Sequence, residues 1–501
     1  MIPASLTLAF LFFLAPFLIF CLGFMQTAPG AAAVVLALSA SLPMLRATDW
    51  RWRPDWPVFA GAAAISLLLT LLSGIGHIFY QTDDWVVRDA LLYDLVRHPW
   101  PVAYNVDGFP GLIRAPLGMY MLPAAIGKIG GMGLAQAALF AQNAAVVALC
   151  MYIFARSLPA GRSRWIMLVV FVAFSGLDCV PWLRRWLDGL PDLALPHIEP
   201  WPIHFQYSSN VTEIFWTPHH GLAGWTLVAA YLVWRAGKIS ALGIAPLWAT
   251  SIFWSPLAAI GAAPFLAFAF FCDIKDGKLR LSEFAAAAAI GAAAIPIAIF
   301  LGRDTANIEK GFQDFTNLEV LRSYFAMMAL EVAPLLAIAA RGRDPKDQRG
   351  TIEFWLMGAL LFLIPVYTLG FANDWAMRVS IPALTLLCVR CVPGLMSLGA
   401  EPVPRRAIMV GIVAFGAITP AVEIWRNVTV PATPLSACNV VESLKDGPYA
   451  GSPIDYYVAS KSSFEPFSSL FRQPSNEPLG WNTKKCWPGR KFINAPAERK
   501  P

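Results

Sequence analysis

Thirteen runs of apolar residues, each about long enough to cross a bilayer, succeed one another along the chain. They lie at 4–24, 30–46, 57–79, 133–156, 164–180, 219–235, 239–255, 257–273, 284–301, 322–340, 352–371, 379–397 and 407–424. In lipid a spanning segment must satisfy its own backbone polar groups, so each run reads as a transmembrane helix. The expected fold is therefore an all-α polytopic membrane protein of about 13 transmembrane helices. One stretch, 111–130, breaks the pattern with Arg114, Pro116, Pro123 and Lys128, and reads as a re-entrant or interfacial element. The first run is as apolar as a secretory leader, but the preceding MIPAS carries no Lys or Arg. It is expected to stay as the first span.

Composition agrees. Of the 501 residues 57% are hydrophobic and 14% charged, and the mean hydropathy is +0.56. A soluble domain carries about 25% charged residues, so lipid must solvate much of this surface. The 19 Trp and 33 Phe suit interfacial aromatic belts. The net charge of +6 is spread over short connections rather than gathered in one patch, which argues against a nucleic-acid partner.

Charge also orients the chain. The connections Arg46–Arg53, Arg156–Arg164, Arg235–Lys238, Lys275–Arg280, Arg341–Arg349 and Arg405–Arg406 are basic, and the positive-inside rule places all of them in the cytoplasm. Thirteen crossings with the N-terminus inside meet that demand only if 111–130 makes no net crossing. The outer segments are then 80–132, 181–218, 302–321, 372–378 and a polar tail, 425–501, beyond a membrane domain of residues 1–424. The tail reads as a small lid or extended arm. His77, His98, His197, His204, His219 and His220 all fall on or beside this outer face, although the topology argument did not use them. Six of the eight cysteines lie in or beside apolar runs and read as small hydrophobes. Cys438 and Cys486, in the tail, are a disulfide candidate if the tail is extracytoplasmic.

The most informative polar stretch is Tyr80-Gln-Thr-Asp83-Asp84, directly after the third run. Two adjacent carboxylates at a membrane boundary are costly unless solvated or used. The following WVVRDALLYDLVRHPWPV reads as an amphipathic helix lying on the membrane surface, with Val87, Leu91, Leu92 and Leu95 inward and Arg88, Asp89 and Asp94 facing away. Two readings of the acidic pair stay open: helix capping and catalysis.

An acidic pair early in the first large outer loop, then surface helices and many spans, resembles the GT-C superfamily of integral membrane glycosyltransferases. The resemblance covers the architecture of 57–424, although two spans here precede the one that leads into the acidic loop. It implies transfer of a sugar from a polyprenyl-phosphate donor to a glycan or lipid acceptor outside the cytoplasm, in a bacterial inner membrane with the working face periplasmic. It makes Asp83 or Asp84 the base that takes the acceptor proton, and favours Asp83. Such a transfer also needs cations for the leaving phosphate. Arg378, in the short outer connection with Asp374, is the leading candidate, with Arg114 and Lys128 behind it; interfacial anchoring is the alternative for each. Tyr80, Asp374, His204, Glu213, Trp216, His219 and His220 are candidate substrate contacts; Trp216, with Trp201, Phe205 and Tyr207, would stack on sugar rings, and His219 and His220 would hydrogen-bond hydroxyls or phosphate. The density of His and carboxylate around 197–220 also admits a divalent metal, although no standard ligand spacing occurs.

Two alternatives are carried. A polysaccharide polymerase or ligase using a lipid-linked oligosaccharide would usually keep its key Arg and His in one late outer loop. A lipid or solute transporter would place ionisable groups in mid-span, where this chain has chiefly Glu331.

Overall fold

The structure is a computed structural model and describes residues 1–51, 53–187, 197–201, 205–370, 372–447, 454–481 and 486–487. It is a bundle of helices with a few short strands. In order, the helices are α1 (Ala4–Phe24), α2 (Thr27–Ala47), α3 (Trp56–Leu72), α4 (Trp85–Arg97), α5 (Gly118–Arg156), α6 (Arg162–Ala173), α7 (Cys179–Leu187), α8 (Asn210–Trp216), α9 (Pro218–Arg235) and α10 (Ala245–Ile252). There follow α11 (Pro256–Lys275), α12 (Leu281–Leu301), α13 (Leu318–Met327), α14 (Ala333–Arg341), α15 (Gln348–Leu363), α16 (Asp374–Val379), α17 (Ile381–Ser397), α18 (Val403–Gly416), α19 (Ile418–Thr429) and α20 (Val440–Asp446). A helix stands in every predicted apolar run. Among the described residues eight helical stretches are long and apolar enough to cross a membrane, which makes this a multi-pass membrane protein.

Two runs end early. α3 stops at Leu72 rather than 79, because Gly74 and Gly76 take positive φ and turn the chain; a Cβ on Gly74 would also lie 2.4 Å from the Tyr80 carbonyl oxygen. α6 stops at Ala173 rather than 180. There Ser175 Oγ donates to Asp178 at 2.8 Å, and Gly176 leaves room for Glu331.

The basic connections gather at one end. Arg164 pairs with Asp55 at 2.6 Å, and Arg349 with Asp276 at 2.7 Å; Arg341 pairs with Glu401, and Arg235 with Asp347. The other end gathers the five segments expected outside. The hairpin Ala103–Val106/Phe109–Ile113 gains a third strand from tail residues Val458–Ser460, and Lys310–Phe312 pairs with Tyr367–Leu369. The tail also crosses the turn between α1 and α2, where Arg472 N donates to Phe24 O at 2.9 Å. Cys438 and Cys486 form a disulfide across the tail, as the sequence suggested.

The stretch 111–130 ends the hairpin and enters α5, which is two antiparallel limbs joined at Gly131 (φ 78°, exposed). Gln142 Nε2 donates to Met119 O at 2.8 Å, and Gly127 faces Ala135. The first limb starts where Gly118 N donates to Phe253 O and packs on Trp254, whose ring lies 4.4 Å from Phe13, midway along α1. It returns to the tail-facing end, where Lys128 Nζ donates to His98 O at 2.6 Å. The segment thus enters and leaves at the same end of the bundle.

α4 departs from expectation. Arg88, Asp89 and Asp94 are buried, not turned to water, and only Tyr93 and Arg97 of the helix keep appreciable exposure. α5, α20 and the turn after α8 cover its polar side and supply partners. Periodicity marks a polar face but not what will cover it.

Candidate functional site

The turn between α3 and α4 brings the acidic pair to the tail-facing end of the bundle. Asn427, near the end of α19, closes this turn: its Nδ2 donates to Leu72 O at 3.1 Å and to Tyr80 O at 3.0 Å. Asp83 is fully buried and accepts from Tyr80 Oη at 3.3 Å. Asp84 keeps part of its side chain exposed. It occupies the N-cap position of α4 without a side-chain capping bond, and its carboxylate instead pairs with Arg88 at 3.0 Å, one turn along. Of the two acids, Asp84 is the more exposed.

The second half of the site comes from the turn between α8 and α9. Phe215 O accepts from Trp85 Nε1 at 2.7 Å and from Thr82 Oγ1 at 3.1 Å, and Trp216 O accepts from Arg88. Thr217 Oγ1 accepts from Arg378 at 2.8 Å and donates to Glu213 at 2.8 Å. Arg378 also approaches Glu213 at 3.4 Å and Asp374 at 3.8 Å. Its helix, α16, starts at Asn373 in the left-handed region (φ 57°), whose side chain accepts from Ala376 N. Burial raises the Glu213 carboxyl above its ordinary range, and the neighbouring Arg378 and the Thr217 hydroxyl oppose this. Burial likewise raises Asp374 against the pull of Arg378.

Two guanidiniums, Arg88 and Arg378, thus lie among Asp84, Asp374 and Glu213. Around them stand His219, His220, Tyr120 and the tail residue Tyr457, each within electrostatic reach of Arg88. His220 Nδ1 bonds Ser255 Oγ at 2.7 Å, and the two His rings lie 3.9 Å apart. His219 Nδ1 and Trp254 Nε1 are buried without a hydrogen-bond partner among the described residues. Chemically the arrangement suits an oxyanion held between arginines, beside a carboxylate able to accept a proton.

The other predicted residues divide. Tyr80 Oη donates to Asp83. Arg114 holds the tail: its backbone N–H donates to Tyr457 O at 2.7 Å and its guanidinium donates to Asp455 O. Lys128 lies over the Trp100 ring at 4.9 Å, at the exposed end of its limb. Trp216 is buried, with the His197 ring 4.6 Å from its own and the Arg426 guanidinium 5.1 Å from it, so it presents little ring surface for a sugar. His204 lies outside the described residues. Among the described residues no three His, Cys, Asp or Glu side chains converge as metal ligands.

Sequence reasoning missed Arg88 as a site residue, because it was assigned to the outward face of α4. It singled out Glu331 and the acids around 197–220 but did not join them with Asp178 and Glu423 into a buried group near the site. Glu199 accepts from Ser209 N at 2.8 Å, Thr212 Oγ1 at 2.5 Å and Gln206 at 3.0 Å, and its burial pushes the carboxyl up to about 7. Asp178 and Glu331 both accept from Trp201 Nε1, at 3.4 and 2.9 Å. Glu423 accepts from His197 at 3.0 Å and from Trp216 Nε1 at 2.7 Å. Glu423 and Arg426, charged at i and i+3 where an apolar run ends, were the available signal.

No protein-family model, no curated protein and no solved structure matches the chain.

Proposed function

We propose that the chain is a membrane glycosyltransferase that moves a sugar from a polyprenyl-phosphate donor to a glycan or lipid acceptor on the extracytoplasmic face. The observation that carries this reading is the pairing of an accessible carboxylate, Asp84, with two buried guanidiniums, Arg88 and Arg378, at the end of the bundle opposite the basic connections. In the proposed step the acceptor oxygen attacks the anomeric carbon and Asp84 takes its proton. The bond from that carbon to the phosphate oxygen breaks, and its electron pair leaves on the phosphate, which Arg88 and Arg378 hold. Asp83, which the resemblance favours, is the less accessible acid and supports the turn through Tyr80.

One observation favours the transporter reading: Glu331 lies in mid-span, in a π-helical turn (Met328–Val332), and shares the Trp201 indole with Asp178. Proteoliposomes given a polyprenyl-phosphate-linked radiolabelled sugar separate the two. Label appearing in a new covalent product supports transfer, whereas flux of unaltered label without product supports transport.

A further inference from the structure

We propose that the end of α19 is a template for the site, with Glu423 and Arg426 as positioning residues that set both site arginines through the turn Phe215–Thr217. The proposal rests on reading the charged cluster as a phosphate-binding transfer site. Neither residue reaches substrate, since both are fully buried.

The two form an ion pair within α19, at 3.0 Å on one side of the fork. The desolvation of such a pair roughly cancels its attraction, so stability alone explains it poorly. What it does is fix Trp216. Glu423 accepts the indole N–H at 2.7 Å, the Arg426 guanidinium lies over the ring, and His197, itself bonded to Glu423, packs against the ring. With the indole clamped, the backbone around it is clamped too. That backbone is what the site hangs on: Trp216 O receives Arg88, Phe215 O receives Trp85 and Thr82, and the Thr217 hydroxyl receives Arg378. The next residue of α19, Asn427, ties the other half by bonding Leu72 O and Tyr80 O across the turn that carries Asp83 and Asp84. One turn of one helix therefore sets the register between the acidic turn and the arginines. A shift of the order of an ångström between such groups is enough to cost a large part of their joint action.

Hydrogen–deuterium exchange and ligand affinity on the purified full chain in nanodiscs test this. Trp216→Phe keeps an aromatic ring but removes the pyrrole ring with its N–H; Glu423→Gln keeps an acceptor and removes the charge. Exchange at residues 210–217 is expected to rise, and affinity for undecaprenyl phosphate to fall about tenfold, the scale of one charge-assisted bond. Exchange in α12, far from the clamp, should not move. Wild-type exchange at 210–217 together with wild-type affinity in the variants overturns the proposal. If Glu423→Gln does not fold, Trp216→Phe decides. If wild-type protein binds no lipid phosphate, the transfer reading fails, while the exchange measurement still decides the clamp.

Discussion

Arg378 is buried, donates to Thr217, and faces Glu213 and Asp374. Its planar fork holds these donors in fixed directions, a geometry that the compact ammonium of a lysine does not reproduce. Arg378→Ala is expected to weaken lipid-phosphate binding by about thirtyfold, or about 2 kcal/mol, and Arg378→Lys by less, in a direct binding assay. A second titratable residue reports on the tail. Asp94 is fully buried on α4 and accepts from Tyr104 Oη at 2.8 Å and from Val440 N, the start of α20, at 2.9 Å. Burial pushes its carboxyl up to about 7, against the pull of these bonds. A carboxyl raised in the folded state contributes stability that is fully present below the ordinary aspartate range and lost as pH rises through about 7. Docking of α20 should therefore weaken from about pH 4 to about 7, and Asp94→Asn should flatten that slope, as read by limited proteolysis of the tail across pH.

At the level of elements, α5 is the clearest case of local chemistry deciding a path. Its limbs reverse at Gly131, whose φ of 78° a side chain tolerates poorly, and a Cβ there would meet nothing. Gly131→Ala should cost about 1–2 kcal/mol from backbone strain alone, measured by thermal unfolding in detergent. The sequence announced this element through Arg114, Pro116, Pro123 and Lys128, and the apolar runs announced the helices, because lipid leaves the backbone few options. α4 was legible as a helix but not as a buried one, since its cover comes from residues far along the chain, Gln136, Phe215 and Val440 among them. For the same reason Arg88, which meets Trp216 O, was assigned to the wrong face, and Trp216, which meets Glu423, to sugar stacking. The acidic pair and Arg378 were legible because charge at a membrane boundary is expensive wherever it occurs. What periodicity cannot supply is which acid of the pair stays exposed, because that depends on the turn closed by Asn427.

Across the whole molecule, one end is drawn together by ion pairs between basic connections, and the other by strand pairing and the tail. The tail is stitched through Arg114, Asp94, the third strand and the Cys438–Cys486 disulfide, and it carries Tyr457 to the charged cluster. Closing a loop with a sequence separation of 48 constrains the unfolded tail by about 4 kcal/mol on a chain-entropy basis. The double variant Cys438→Ser, Cys486→Ser should accordingly lose its tail to protease sooner than wild type, with little change in the digestion of the helical bundle. The central claim, that the tail-facing end performs sugar transfer with Asp84 as the base, is tested most directly by transfer from a polyprenyl-phosphate-linked sugar in reconstituted membranes. The measurement compares wild type with Asp84→Asn, Asp83→Asn and the double variant. Loss of a general base predicts a fall of about a hundredfold or more for Asp84→Asn and the double variant, and a smaller one for Asp83→Asn. Full transfer by all three variants would contradict the account.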